Sequence, residues 1–147
     1  MGLINQSEVS FILRICVRSD SEIFQGFSLE HLREITEDGI DFKSHIDGST
    51  HQFSPEAATR HQEGIGADII MPLDVCVPAS TGRPAVEEAV ELTERWAARS
   101  LEAHAREDQA LFGIVQGGLL PDLRERSIAG ITAMGFPGYA IGGLSVG

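Results

Sequence analysis

Only two cysteines, Cys16 and Cys76, occur in the 147 residues. That is too few for a disulfide framework, and no Cys-x2-Cys or His-x3-His spacing offers a zinc site. Both read as reduced cytosolic thiols. No apolar run approaches the roughly 18 residues that a membrane-spanning helix needs. Val9–Val17 is apolar, but Arg14 interrupts it and no small-residue cleavage site follows, so neither a span nor a signal peptide is read there. Repeats, low-complexity tracts and linkers are missing. Basic residues are scarce: 11 Lys and Arg stand against 22 Asp and Glu, a net charge of −11. So acidic a chain repels phosphate backbones on average, and no Lys/Arg cluster offsets this. It does not read as a stand-alone nucleic-acid-binding module. The expectation is a soluble, cytoplasmic protein with no membrane contact.

What is present is ordinary for a globular domain, with 42% hydrophobic and 22% charged residues. A domain of this length hides roughly 70% of its unfolded surface, enough for a real core. The first nineteen residues read as a polar leader and one apolar strand, Ser10–Val17. Leu29, Leu32 and Ile35 suggest a short helix ending at Asp38-Gly39. Two alternating runs then flank Asp47-Gly48, which signals a hairpin with a tight turn. Ile40, Phe42, Ser44 and Ile46 share one face, and the strand returns over Ser49–Phe53.

From Ser54 the pattern changes. Ser54-Pro55-Glu56 combines an N-cap, an N1 proline and a first-turn acid, so a helix starts there and stops near Gly64–Gly66. Residues Asp68–Asp74 follow as a strand apolar on both faces. A long helix runs from about Pro84 to Arg106, with Val86, Val90, Thr93, Ala97 and Leu101 as its core stripe. Ala110–Val115 is another two-sided strand, Pro121–Met134 a helix closed by Gly135, and Tyr139–Ile141 the last strand. This α-β-α-β-α-β order predicts a parallel sheet, either an open one or an arc of a barrel.

Polar residues gather where these strands end. Asp74 closes the first, Gln116-Gly117-Gly118 the second and Gly142-Gly143-Leu144 the third. Ligands bind on that face of parallel sheets. A carboxylate accepts two adjacent N–H groups, glutamine donates and accepts, and glycine exposes its backbone N–H. Together they complement a flat amide-like heterocycle such as guanine. Each also has a plainer reading: Asp74 as a turn cap, the Gln116 segment as a tight turn, Gly142-Gly143 as packing or a phosphate loop. The histidines (His31, His45, His51, His61, His104) read as surface or capping groups, and Trp96 as packing.

Several segments now stand in a recognisable order: Phe27–Leu29, Glu34–Gly39, Lys43–Ser49, Gly66–Met71, Leu111–Gly118 and Phe136–Gly147. The series closely resembles bacterial tRNA-guanine transglycosylases (queuine tRNA-ribosyltransferases) over residues 20–147, leaving residues 1–19 unmatched. The resemblance implies an α/β fold, part of a (β/α)8 TIM-type barrel with an N-terminal β-hairpin insertion. It implies exchange of guanine at the tRNA wobble position for a 7-deazaguanine queuosine precursor, by double displacement through an aspartate nucleophile.

Carried over by position, Asp20 is the proton-handling acid/base, Ser21 lines the same loop, and Phe24 stacks on the base. Asp74 and Gln116 become the base-recognition pair, Cys76 lines the pocket, and Gly142, Gly143 and Leu144 supply the backbone contact. Three departures stand out: Glu22 and Ile23 replace two glycines of the family's loop, Val75 replaces an acid, and residues 1–19 find no match. The family's nucleophilic aspartate, tRNA-contacting basic segment and zinc ligands are expected beyond Gly147, which leaves no cofactor site in this chain and tRNA binding to the missing part. A homodimer is implied. The alternative is a non-catalytic or degenerate paralogue that binds a base or a partner barrel.

Overall fold

The computed structural model describes residues 33–43 and 48–144. The chain divides into two units, Met1–Ser54 and Pro55–Gly147. The expected strand over residues 10–17 and the loop carrying Asp20, Ser21 and Phe24 lie outside the described residues. So do Cys16, His31 and His45.

The first unit is a three-stranded antiparallel sheet of β1 (Arg33–Ile35), β2 (Ile40–Lys43) and β3 (Thr50–Phe53), in that order. Residues 33–35 were expected in a helix and form a strand instead. The reason lies in the next four residues. The Thr36 N–H donates to the Gly39 carbonyl at 2.9 Å, and the Asp38 N–H to Thr36 Oγ1 at 3.2 Å. This turn brings Ile35 opposite Ile40, so Asp38-Gly39 reverses a strand rather than stopping a helix. Apolar residues three apart suit either structure when a pairing partner is at hand.

The hairpin forms as the alternation requires, with Ile40 opposite Phe53 and both buried. Lys43 and Thr50 are the last pair before the reversal, and Gly48 takes φ 73°. The expected tight turn at Asp47-Gly48 falls on Asp47, which lies outside the described residues.

The second unit alternates helix and strand: α1 (Pro55–Ile65), β4 (Ile69–Ile70), α2 (Arg83–Ala103), β5 (Ala110–Leu111), β6 (Gly113–Val115), α3 (Pro121–Ala133) and β7 (Tyr139–Ile141). β4 pairs parallel with β5, and β6 parallel with β7. Phe112 joins β5 to β6, and successive N–H groups there point to opposite edges. The Phe112 N–H reaches the Ile70 carbonyl at 3.0 Å, while the Gly113 N–H reaches the Gly138 carbonyl at 3.0 Å. Residues 110–115 thus form the middle of a parallel β4–β5/β6–β7 arrangement, linked by α2 and α3.

The strand expected over residues 68–74 is shorter and less buried than its composition suggests. Only Ile69 and Ile70 pair, and Ile69 is 50% exposed while Ile70 is 2%. The Gln62 side chain of α1 takes over the Met71 backbone, donating to its carbonyl at 2.7 Å and accepting from its N–H at 3.2 Å. Pro72 has no N–H to continue the ladder. The long helix ends at Ala103, three residues short of expectation, with His104 as its C-cap.

Its core stripe is as expected, with Val86, Val90, Thr93 and Ala97 buried and Trp96 fully enclosed beside them. Ile70, Ala97, Leu111, Ile131 and Phe136 form one cluster between strands and helices, with Leu101 and Met134 against it. Each large side chain there contributes about 1.5–3 kcal/mol of transfer free energy. Gly113 permits the close approach of α3, because a Cβ on it would stand 2.6 Å from Ile131 Cγ2 and 2.7 Å from Phe136 Cδ2. Among the described residues no helix is long and apolar enough to cross a membrane. His51 and His61 are half-buried rather than surface groups, and His51 Nε2 hydrogen-bonds Ser49 Oγ at 2.7 Å.

Candidate functional site

The ends of the three parallel strands meet in one cluster. Gln116 follows β6 directly and Gly142 follows β7 directly, whereas Asp74 sits four residues past the short β4. Two helix hydroxyls hold the backbone at Gln116 and just after Asp74. The Gln116 N–H donates to Ser127 Oγ on α3 at 3.0 Å, and the Val75 N–H to Thr93 Oγ1 on α2 at 2.9 Å. Both hydroxyls are fully buried. A buried backbone N–H needs an acceptor once its strand has ended, and these supply it.

The backbone being fixed, the side chains converge. Gln116 Nε2 donates to Asp74 Oδ2 at 2.5 Å. A Cβ on Gly143 would lie 2.9 Å from Gln116 Oε1, 3.6 Å from Arg124 Nη2 and 3.9 Å from Cys76 Sγ. One on Gly142 would collide with the Gln116 amide. Gly142 and Gly143 therefore form one wall of the space occupied by the Gln116 amide, and Asp74 stands on its donor side. Burial pushes the Asp74 carboxyl up to about 6, although the bonds from Gln116 and its own backbone pull it partly back. A desolvated carboxylate that still ionises near neutrality is well suited to accept N–H groups from a neutral heterocycle.

Arg124 of α3 ties this cluster together. Its Nε donates to the Gly118 carbonyl and its Nη2 to the Gly142 carbonyl, each at 2.8 Å. Gly117, at φ 130°, lies against the arginine's own backbone: a Cβ there would be 2.7 Å from Arg124 N. Any side chain at 117 would push the Gln116 loop off α3.

The structure thus brings together Asp74, Cys76, Gln116, Gly142 and Gly143. Leu144 follows them but is 64% exposed. Asp20, Ser21 and Phe24 lie outside the described residues. Sequence reading did not single out Arg124 or Ser127, and it assigned Thr93 only to the core stripe. The available signal was polar residues at core-facing positions of amphipathic helices. Among the described residues no group of three His, Cys, Asp or Glu side chains could hold a metal ion.

The chain falls in a class of tRNA-ribosyltransferases. The family model for queuine tRNA-ribosyltransferase matches residues 11–147, and the chain belongs to that family. It is 55% identical over 131 residues to the queuine tRNA-ribosyltransferase of Desulforamulus reducens, covering 89% of this chain and 35% of that protein. The Symbiobacterium thermophilum relative of the same name is 56% identical over 132 residues, 89% of this chain and 33% of its own length. That of Koribacter versatilis is 51% identical over 144 residues, 89% of this chain and 38% of its own length. The chain spans about a third of the length of the curated relatives it matches.

Proposed function

We propose that this chain carries the base-recognition part of a tRNA-guanine transglycosylase, which exchanges guanine at the tRNA wobble position for a 7-deazaguanine queuosine precursor. The observation that carries the reading is the Asp74–Gln116 pair facing the Gly142-Gly143 wall. Asp74 accepts from the guanine ring N–H and the exocyclic amine. The second Nε2 hydrogen of Gln116 and the Gly143 N–H donate to the base carbonyl, Cys76 lines the pocket, and Leu144 contributes at its rim. Asp20, Ser21 and Phe24 complete the site as proton-handling acid, loop contact and stacking face.

Base exchange also needs a carboxylate nucleophile at the ribose carbon. That group, the basic surface for tRNA and the zinc ligands belong to the remaining length of the relatives, so exchange requires that part. Supporting a (β/α)8 barrel arc are the helix-linked parallel strands and the exposure of Ile69, Tyr139 and Ile141 on them. Strands of such barrels are buried on both faces. A tRNA substrate would suit a cytoplasmic location, and a homodimer is the assembly this reading proposes.

Isothermal titration of the purified chain with guanine tests the reading. Binding that is lost in Asp74→Asn and in Gln116→Leu supports it. Binding unaffected by either substitution sinks it. Base binding by a full-length version without exchange would favour the non-catalytic paralogue, a reading motivated by Glu22 and Ile23 at the loop glycines.

A further inference from the structure

We infer that Arg124 is a positioning residue that aims and strengthens the Gly143 N–H as a hydrogen-bond donor to the bound base. The inference rests on the base-pocket reading above. The carbonyl of Gly142 and the N–H of Gly143 belong to one peptide unit, which is planar and trans, so the two point in opposite directions. Arg124 Nη2 holds that carbonyl at 2.8 Å. On the other side of the same residue, the Gly142 N–H is held by the Val115 carbonyl at 2.9 Å, extending the β6–β7 ladder by one bond. Both peptide units flanking the Gly142 Cα are therefore fixed, and the direction of the Gly143 N–H is fixed with them.

Gly143 then takes φ 72°, which turns the chain away from the sheet at that point. No acceptor among the described residues takes its N–H. The guanidinium does more than orient. A cation on a peptide oxygen draws electron density from the nitrogen and makes the attached hydrogen a stronger donor, as in any polarised hydrogen-bond chain.

The same side chain sets the distance to the opposing groups. Arg124 Nε holds the Gly118 carbonyl, two residues past Gln116, while its backbone packs on Gly117. One planar guanidinium thus spans the loop that carries the Gln116 amide and the loop that carries the Gly143 donor. Lysine cannot replace it, because an ammonium on a flexible stem lacks the fork that reaches two carbonyls in fixed geometry.

Arg124→Lys in the 147-residue chain tests this, with Arg126→Lys, in the exposed pair with Glu91, as the control. Guanine affinity is expected to fall about tenfold in Arg124→Lys and to stay level in the control. The amide resonance of Gly143 should move toward the position of an unpolarised N–H. An unchanged affinity together with an unmoved Gly143 resonance overturns the inference. If the wild-type chain binds no guanine, the pocket reading fails, and the Gly143 resonance alone decides whether Arg124 positions that peptide. The wild type provides a measurement independent of any variant: guanine binding should shift the Arg124 Nε–H and Gly143 N–H resonances together. A shift at Gly143 that leaves Arg124 untouched also overturns it.

Discussion

Gln116 Nε2 donates to Asp74 Oδ2 across 2.5 Å, joining the end of β6 to a carboxylate that the chain delivers from beyond β4. The bond satisfies a buried amide and a desolvated acid with each other. It does not fully offset the acid's loss of water, since the carboxyl still titrates at about 6 against an ordinary 3.8.

That difference has a sign. The folded chain holds the Asp74 proton more tightly than the unfolded chain, so folding is favoured at low pH and the advantage disappears as pH rises through about 6. The ionisation cost at neutral pH reaches up to about 3 kcal/mol. Asp74→Asn escapes it while keeping an acceptor for Gln116. Relative to wild type, the variant should therefore gain stability between about pH 4 and about pH 7 in urea unfolding. A difference that stays constant across that window would contradict the assignment.

Gln116→Leu probes the other partner. The glutamine bond lowers the Asp74 pKa against the larger effect of burial, so its removal should raise that pKa further. The backbone bond from residue 116 to Ser127 does not depend on the side chain. Carboxyl titration by NMR reads the change directly, and an unmoved Asp74 titration would show that the bond is not formed in solution.

How far this arrangement was legible in the sequence depended on whether the signal was local. The stripe Val86–Val90–Thr93–Ala97 repeats at helical period, and those residues are buried as the period requires. Pro55, Pro121 and Gly135 marked helix ends through their own backbone chemistry. The extent of β4 was not legible, because the Gln62 amide nine residues away ends it. Residues 33–35 misled because their spacing fits two structures, and the pairing with β2 decides between them. The strand-end cluster of Asp74, Gln116 and Gly143 could be placed from topology alone. Arg124 could not, because its role depends on two carbonyls that belong to separate loops.

Two glycines should respond in opposite directions to alanine. Gly64 lies in α1 with nothing within 4 Å of a Cβ, so Gly64→Ala should stabilise by about 0.5–1 kcal/mol through helix propensity and a less flexible unfolded chain. Gly117 has φ 130° and no room beside Arg124, so Gly117→Ala should destabilise by about 1–3 kcal/mol and weaken guanine binding as the Gln116 loop shifts. Thermal unfolding of both variants checks the pair. Equal shifts of the same sign would show that the backbone at Gly117 is not constrained as described.

The buried hydroxyls offer the sharpest separation of architecture from recognition. Ser127 accepts from the Gln116 N–H, and Thr93 accepts from the Val75 N–H, each within 3.0 Å. Ser127→Ala and Thr93→Val each orphan a buried N–H, at a cost of about 1–3 kcal/mol. The two differ in what they disturb. Ser127 holds the residue whose amide meets Asp74, whereas Thr93 holds the residue after Asp74 and leaves Gln116 in place. Both variants should lose stability in urea unfolding, and Ser127→Ala should also speed hydrogen exchange at Gln116 while Thr93→Val speeds it at Val75. Exchange unchanged at those two amides would mean that the hydroxyls are not their acceptors.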